Sequence, residues 1–308
     1  MSAVDKTYTL CRYIFHSAKP RVGLMLDERE GVVGDLTFRG IDRIEQLTNM
    51  KRDELLTELG YFQKHTQLTT HRLSDEGVKL LTSAGSSQSV WAAGVTYKRS
   101  AEAREDESGH KKLYTAVYEN RNRSEIFPKA FNGVVGPDEP VGIRIDSTWD
   151  VPEPELVIFF NHLGEIVGYS AGNDMSSRSI EGENPLYLPQ AKFYDSSCAV
   201  APFIRVGLLE EEVRKSVISV DIYRAGASIF HGEGKVADMN RTFTELRDCL
   251  FKHKRFPNGV ALLTGTNTVP PDSFTLQDRD IVKINISGIA NLNNPVVKLK
   301  PAELPPIE

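Results

Sequence analysis

Apolar residues recur along this chain at two spacings, which divide it into strand-like and helix-like stretches. Near the N-terminus Tyr8, Leu10, Tyr13 and Phe15 precede an apolar run at 21–26, an acidic turn at 27–31 and Val32-Val33-Gly34-Asp35. Short apolar runs separated by glycine-bearing turns predict a small antiparallel sheet. Between residues 51 and 65, Leu55, Leu56, Leu59, Tyr61 and Phe62 fall at helical spacing and predict an amphipathic helix. The polar residues 65–74 read as a linker and 85–89 as a loop. Residues 91–97 are short and apolar, as in a buried strand. Residues 98–112 are almost wholly polar, which suits a solvated helix, a mobile loop or a lid beside a site.

Beyond Trp149 strand patterns dominate, at 156–160, 166–170, 217–223, 228–231, 260–263 and 281–286. One helix is expected at 241–253, with Asn240 as its N-cap. Helices do not alternate with the strands, so a β-rich α+β fold is expected rather than a doubly wound sheet. A small N-terminal α+β domain is expected over 1–84 and a larger catalytic domain over 85–308.

Composition narrows the function. A chain of 308 residues, 40% hydrophobic and 26% charged, is long enough for one sizeable domain and a smaller one. The net charge of −5 argues against a nucleic-acid partner. Lys111-Lys112 and the basic stretch 252–255 read as solvated surface. No run approaches the roughly 18 apolar residues of a membrane span, and residues 1–10 lack a signal-peptide layout, so a cytoplasmic protein without a membrane partner is expected. Cys11, Cys198 and Cys249 are an odd set without CxxC spacing, which fits neither a disulfide framework nor a zinc site.

The informative chemistry lies between residues 152 and 174. Glu153 and Glu155 are two apart, so an extended chain places both on one face. Pro154 biases its predecessor to extended geometry. If Leu163-Gly164 is a two-residue hairpin loop, His162 and Glu165 close it and paired residue numbers sum to 327. Glu153 then faces Asp174, and Glu155 faces Gly172, which leaves room between the carboxylates. Three grouped carboxylates repel one another unless a cation neutralises them, and oxygen-only ligands favour Mg²⁺, Mn²⁺ or Ca²⁺ over zinc. The same spacing also suits exposed strand glutamates beside a turn at Asn173-Asp174.

Residues 179–190 form a polar excursion with two proline signals, expected as loop. Lys192 follows. Near a divalent cation its ammonium form is disfavoured, which makes it a candidate base. The alternative is a surface lysine paired with Asp195.

Taken together, Glu153-Pro154-Glu155, the segment from Gly168 through Asn173-Asp174 to Arg178, and the segment from Lys192 to Pro202 resemble the fumarylacetoacetate hydrolase superfamily. The resemblance spans about residues 90–295. It implies a mixed β-roll with a smaller N-terminal domain, one divalent cation (Mg²⁺ first, then Mn²⁺ or Ca²⁺) on Glu153, Glu155 and Asp174, Lys192 at the substrate, and a homodimer or homotetramer. Hydrolases of that family carry a His–Glu dyad that activates water. Here Ser100 and Ala103 stand at those positions. The stretch 183–192, Gly94-Val95-Thr96-Tyr97 and Leu263-Thr264-Gly265-Thr266 resemble the sugar-acid dehydratase branch, typified by 2-keto-3-deoxy-D-arabinonate dehydratase.

That resemblance implies loss of water from a 2-keto-3-deoxy sugar acid, giving 2,5-dioxopentanoate from a pentonate. Lys192 is then the expected base at C3 and Glu125 the acid at the leaving hydroxyl. Arg99, Ser100, Lys129, Gln190 and Thr266 are candidate substrate contacts; singly, each charged one also suits a surface position. Two other readings stay open: a 2,4-diketo-acid hydrolase in which Glu102 or Glu105 activates water, and a non-catalytic metal-containing binding protein.

Overall fold

A computed structural model describes residues 6–16, 19–65, 67–109 and 112–301. Residues 1–5, His110 and Lys111, on which parts of the N-terminal and basic-pair readings fell, lie outside the described residues.

The hairpin Pro154–Phe160 and Ile166–Asp174 occupies the middle of the larger sheet. On one side Phe203–Val206 leads through Tyr8–Phe15, Arg21–Asp27 and Val32–Asp35 to the edge strand Thr69–Arg72. On the other, Val260–Leu263 pairs parallel with Ser89–Gly94, which pairs with Glu125–Ala130. A second sheet runs Ala227–Lys235, Val217–Arg224, Ile281–Ile286, Ala290–Lys298 and Val141–Ile143.

Strand Pro154–Phe160 is buried along its whole length, because both faces of the sheet are covered. Leu156, Ile158 and Phe160 pack with Ile218, Val220 and Ile284 of the second sheet. The alternate residues Val157 and Phe159 share a core with Leu10, Leu24 and the helical Leu55, Leu56 and Leu59. A half-exposed strand would alternate apolar with polar; this one reads as a continuous apolar run for that reason. The ladder between Tyr8–Phe15 and Phe203–Val206 crosses the division expected at 84/85, which falls in the loop ahead of Ser89–Gly94.

Several local expectations are corrected. Within the supposed linker, Thr69–Arg72 is a strand paired with Val32–Asp35; as an exposed edge it has no apolar alternation to betray it. The excursion after Asp174 is a chain of helical turns, Arg178–Glu183, Pro185–Tyr187 and Leu188–Lys192. Both prolines start turns there instead of breaking them, because a first-turn N–H has no helical partner to lose. The late helix is Phe243–Phe251, and its cap is Thr242 in a capping box with Glu245. Asn240 bonds Tyr118 O instead, and the buried Arg241 guanidinium donates to Val117 O and Asn120 O. The polar stretch after Tyr97 is a helix, Lys98–Ser108, ended by Gly109 at φ 66°.

Candidate active site

The hairpin ladder places the carboxylates. Pro154 pairs with Asn173 and Glu155 with Gly172, and Asp174 N donates to Glu153 O at 2.9 Å. Register sum 327 therefore holds at the site, although the turn differs. Asn161 N donates to Glu165 O, so three residues form the loop, and a bulge beyond Phe160 restores the register. One carboxylate oxygen from each of Glu153, Glu155 and Asp174 lies within 4.8 Å of the others. None of the three is more than 5% exposed, which removes the reading as exposed strand glutamates. Gly172 serves packing: a Cβ there would lie 2.7 Å from Val157 Cγ2, so its smallness accommodates the core and not the carboxylates.

Four cations converge on this group. Lys192 ends its helix with Nζ 2.7 Å from Glu153 Oε2 and 3.3 Å from Asp174 Oδ2, and donates to Ser176 Oγ. Lys192 is itself 1% exposed, so it is no surface lysine paired with Asp195. Lys129 Nζ lies 2.6 Å from Asp174 Oδ1 and donates to Met175 O and Lys192 O. Two of its three protons go to those carbonyls, and the ammonium is ion-paired with Asp174. Lys129 thus braces Asp174 and the Lys192 backbone. Arg178 Nη2 is 2.5 Å from Glu153 Oε1, and its Nε is 3.8 Å from Glu181 Oε2. Arg104, from helix Lys98–Ser108, places Nη1 2.5 Å from Glu181 Oε1 and Nη2 3.9 Å from Glu125 Oε1.

Charge and burial divide the carboxyl groups. Burial raises the Glu153 carboxyl, but Lys192 and Arg178 outweigh it and hold the group at about 2. Glu155 is pushed well up by burial and then by the carboxylates of Asp174 and Glu153; the Gly265 N–H, 2.6 Å from Oε2, offsets only part of this. Burial lowers the Lys192 pKa, yet Asp174, Glu153 and Glu181 together raise it above the ordinary lysine value. Glu125 is raised by burial, against the pull of Arg104. Its carboxylate lies over Gly94, where a Cβ would sit 1.8 Å from Oε2. A hard divalent cation fits the oxygen-only set, because it would neutralise the repulsion that Glu155 now meets.

The profile described as fumarylacetoacetate (FAA) hydrolase, C-terminal, matches residues 89–297. The chain belongs to the fumarylacetoacetate hydrolase family. Within it, the "Probable 2-keto-3-deoxyxylonate dehydratase" of Haloferax volcanii is 40% identical over 261 residues, 84% of this chain and 88% of that protein. The 2-dehydro-3-deoxy-D-arabinonate dehydratase of Saccharolobus solfataricus is 38% identical over 216 residues, 68% of this chain and 72% of that one. A solved 2-keto-3-deoxy-D-arabinonate dehydratase, complexed with magnesium and 2,5-dioxopentanoate, superposes with a TM-score of 0.75 at 28% identity, covering 95% of this chain and 99% of that one.

The helix Lys98–Ser108 carries the positions at which a His–Glu dyad would stand. Ser100 and Ala103 lie on it. Glu102 is exposed and pairs with Lys98 at 3.6 Å, while Glu105 accepts the Thr115 N–H at 2.8 Å, so both are engaged away from the carboxylates. Arg99 is exposed and reaches Val269 O at 3.4 Å. Gln190 is exposed, and Thr266 is buried one residue past Gly265 with its hydroxyl on Thr268 O. Sequence reasoning missed the roles of Arg178 and Glu181. Their i, i+3 spacing was the available signal, but it has meaning only on a helix, and the segment had been read as loop.

Proposed function

We propose that this chain dehydrates a 2-keto-3-deoxy sugar acid of the pentonate type with a divalent cation, magnesium first and manganese or calcium as alternatives, held by Glu153, Glu155 and Asp174. The observation that carries the reading is a buried lysine, Lys192, set against two of three clustered carboxylates. The names of the relatives support it, and so does the absence of a His–Glu dyad at Ser100 and Ala103.

When bound, a divalent cation supplies Lewis acidity that acidifies the protons beside a keto group, and it competes with Lys192 for carboxylate oxygens, favouring the neutral amine. Lys192 then accepts a C3 proton. Glu125, whose pKa burial raises, gives a proton to the C4 hydroxyl, which leaves as water. The unsaturated 5-hydroxy product tautomerises to 2,5-dioxopentanoate. Lys129 and Arg178 orient Asp174 and Glu153 during these transfers. Arg99, Ser100, Lys129, Gln190 and Thr266 stay candidates for substrate contact.

A cytoplasmic homodimer or homotetramer, with divisions at 1–84 and 85–308, completes the proposal. No helix among the described residues is long and apolar enough to cross a membrane.

The test offers the magnesium-loaded protein 2-keto-3-deoxypentonate and, separately, an acylpyruvate. Formation of 2,5-dioxopentanoate from the first is expected. Pyruvate from the second, with nothing from the first, would move the chain to the hydrolases, and turnover of neither would leave a binding protein.

A further inference from the structure

We propose that Glu181 is a specificity-determining residue, which confines the site to 2-keto acids with a single carboxylate by occupying Arg104. This rests on the reading of a 2-keto-acid site given above.

Lys129, Lys192 and Arg178 each lie against Glu153 or Asp174. Arg104 is placed differently. It enters from the helix Lys98–Ser108, is only 5% exposed, and lies against Glu181 and Glu125 instead of the hairpin carboxylates. A buried guanidinium is a strong, geometrically matched receptor for a carboxylate. In a small-acid site such a group would recruit a second ligand carboxylate.

Here Glu181 takes that place. Its Oε1 is 2.5 Å from Arg104 Nη1, Glu125 stands on the other side of the guanidinium, and the Tyr114 ring lies 4.9 Å away. Glu181 is itself 1% exposed and lies 3.9 Å from Lys192 Nζ. If Lys192 works at C3, the C5 end of the ligand is two bonds further on and comes within reach of Glu181. A carboxylate at C5 would meet a like charge in a buried, low-dielectric setting, with the nearby cation already paired. A hydroxymethyl group at C5 meets no such penalty. Specificity of this kind comes from rejecting the wrong ligand.

The test titrates the magnesium-loaded full chain calorimetrically with 2-oxopentanoate and with 2-oxopentanedioate, which differ only in the C5 carboxylate. The wild type is expected to bind the monoacid about tenfold or more tightly than the diacid. Glu181→Gln keeps the shape and removes the charge, so it should shift that ratio toward the diacid by about tenfold or more, the scale of one charged hydrogen bond. Adding Arg104→Gln should abolish the shift. A wild type that binds the diacid as well as the monoacid overturns the proposal, and this needs no variant to fold. So does a Glu181→Gln protein, folded by circular dichroism, whose ratio is unchanged, or a shift that survives in the double variant. Turnover of 2-keto-3-deoxypentonate, measured in parallel, separates the two readings. Turnover with an unchanged ratio defeats the selector alone, and a shifted ratio without turnover defeats the dehydratase reading alone.

Discussion

Glu153, Glu155 and Asp174 take their places from the backbone of one hairpin, whereas Lys192, Arg178 and Arg104 reach the same spot from three helical segments. The hairpin is held by ladder hydrogen bonds and by apolar cores on both faces. The helical segments meet the site through charge: Lys192 and Arg178 on Glu153, Arg104 on Glu181. The difference teaches that the ladder fixes the carboxylates, while pairing fixes the cations around them. Their pairing is still costly to break, because removing one partner strands a charge in a buried place.

Breaking the comparison at its centre should have the largest effect. Glu153→Ala removes a proposed metal ligand and the carboxylate that Lys192 and Arg178 share. Bound metal and turnover should both be lost, and the metal-free protein should lose about 3–5 kcal/mol of stability. Metal analysis, turnover and urea unfolding check this; near-normal activity in that variant would remove Glu153 from the ligand set. Next comes Lys192→Met, which leaves the hairpin intact. Its kcat should fall about 10²- to 10⁴-fold while metal binds at least as tightly, since Nζ no longer occupies the Glu153 and Asp174 oxygens. Loss of metal in this variant would mean that the ladder alone does not hold the carboxylates.

The smallest effect is the pH response of the metal-free protein. Glu153 sits at about 2 when folded and returns to 4.5 when unfolded. Its ion pairs therefore stabilise the fold fully above 4.5, and this contribution disappears as pH falls toward 2. Melting temperature should drop across that window, and less steeply in Glu153→Gln. Equal slopes would show that the cations do not hold this carboxylate in its charged form.

Legibility followed the same divide. The opposition of Glu153 to Asp174 was readable because strand pairing is arithmetic once a turn is located. The turn was located one residue short and the bulge was not foreseen, and the two errors cancelled before the site was reached. A bulge leaves no local signature in a run such as Ile166-Val167-Gly168. The brace of Lys129 on Asp174 and the approach of Arg104 to Glu181 were not readable, because each joins residues of separate elements whose distance in space depends on tertiary packing, and the Arg178–Glu181 spacing went unread because its segment had been taken as loop. The edge strand Thr69–Arg72 escaped because its four residues are all polar and mostly exposed, so its pairing leaves no apolar pattern in the sequence.

By itself, the sequence determined a strand-rich fold, the family, and a carboxylate triad with a lysine downstream, since these rest on local periodicity and short spacings. Only the tertiary structure decided which cation meets which carboxylate. Long flexible side chains choose partners by the free energy of burial and pairing, and that choice exists only after the sheet and helices have enclosed them.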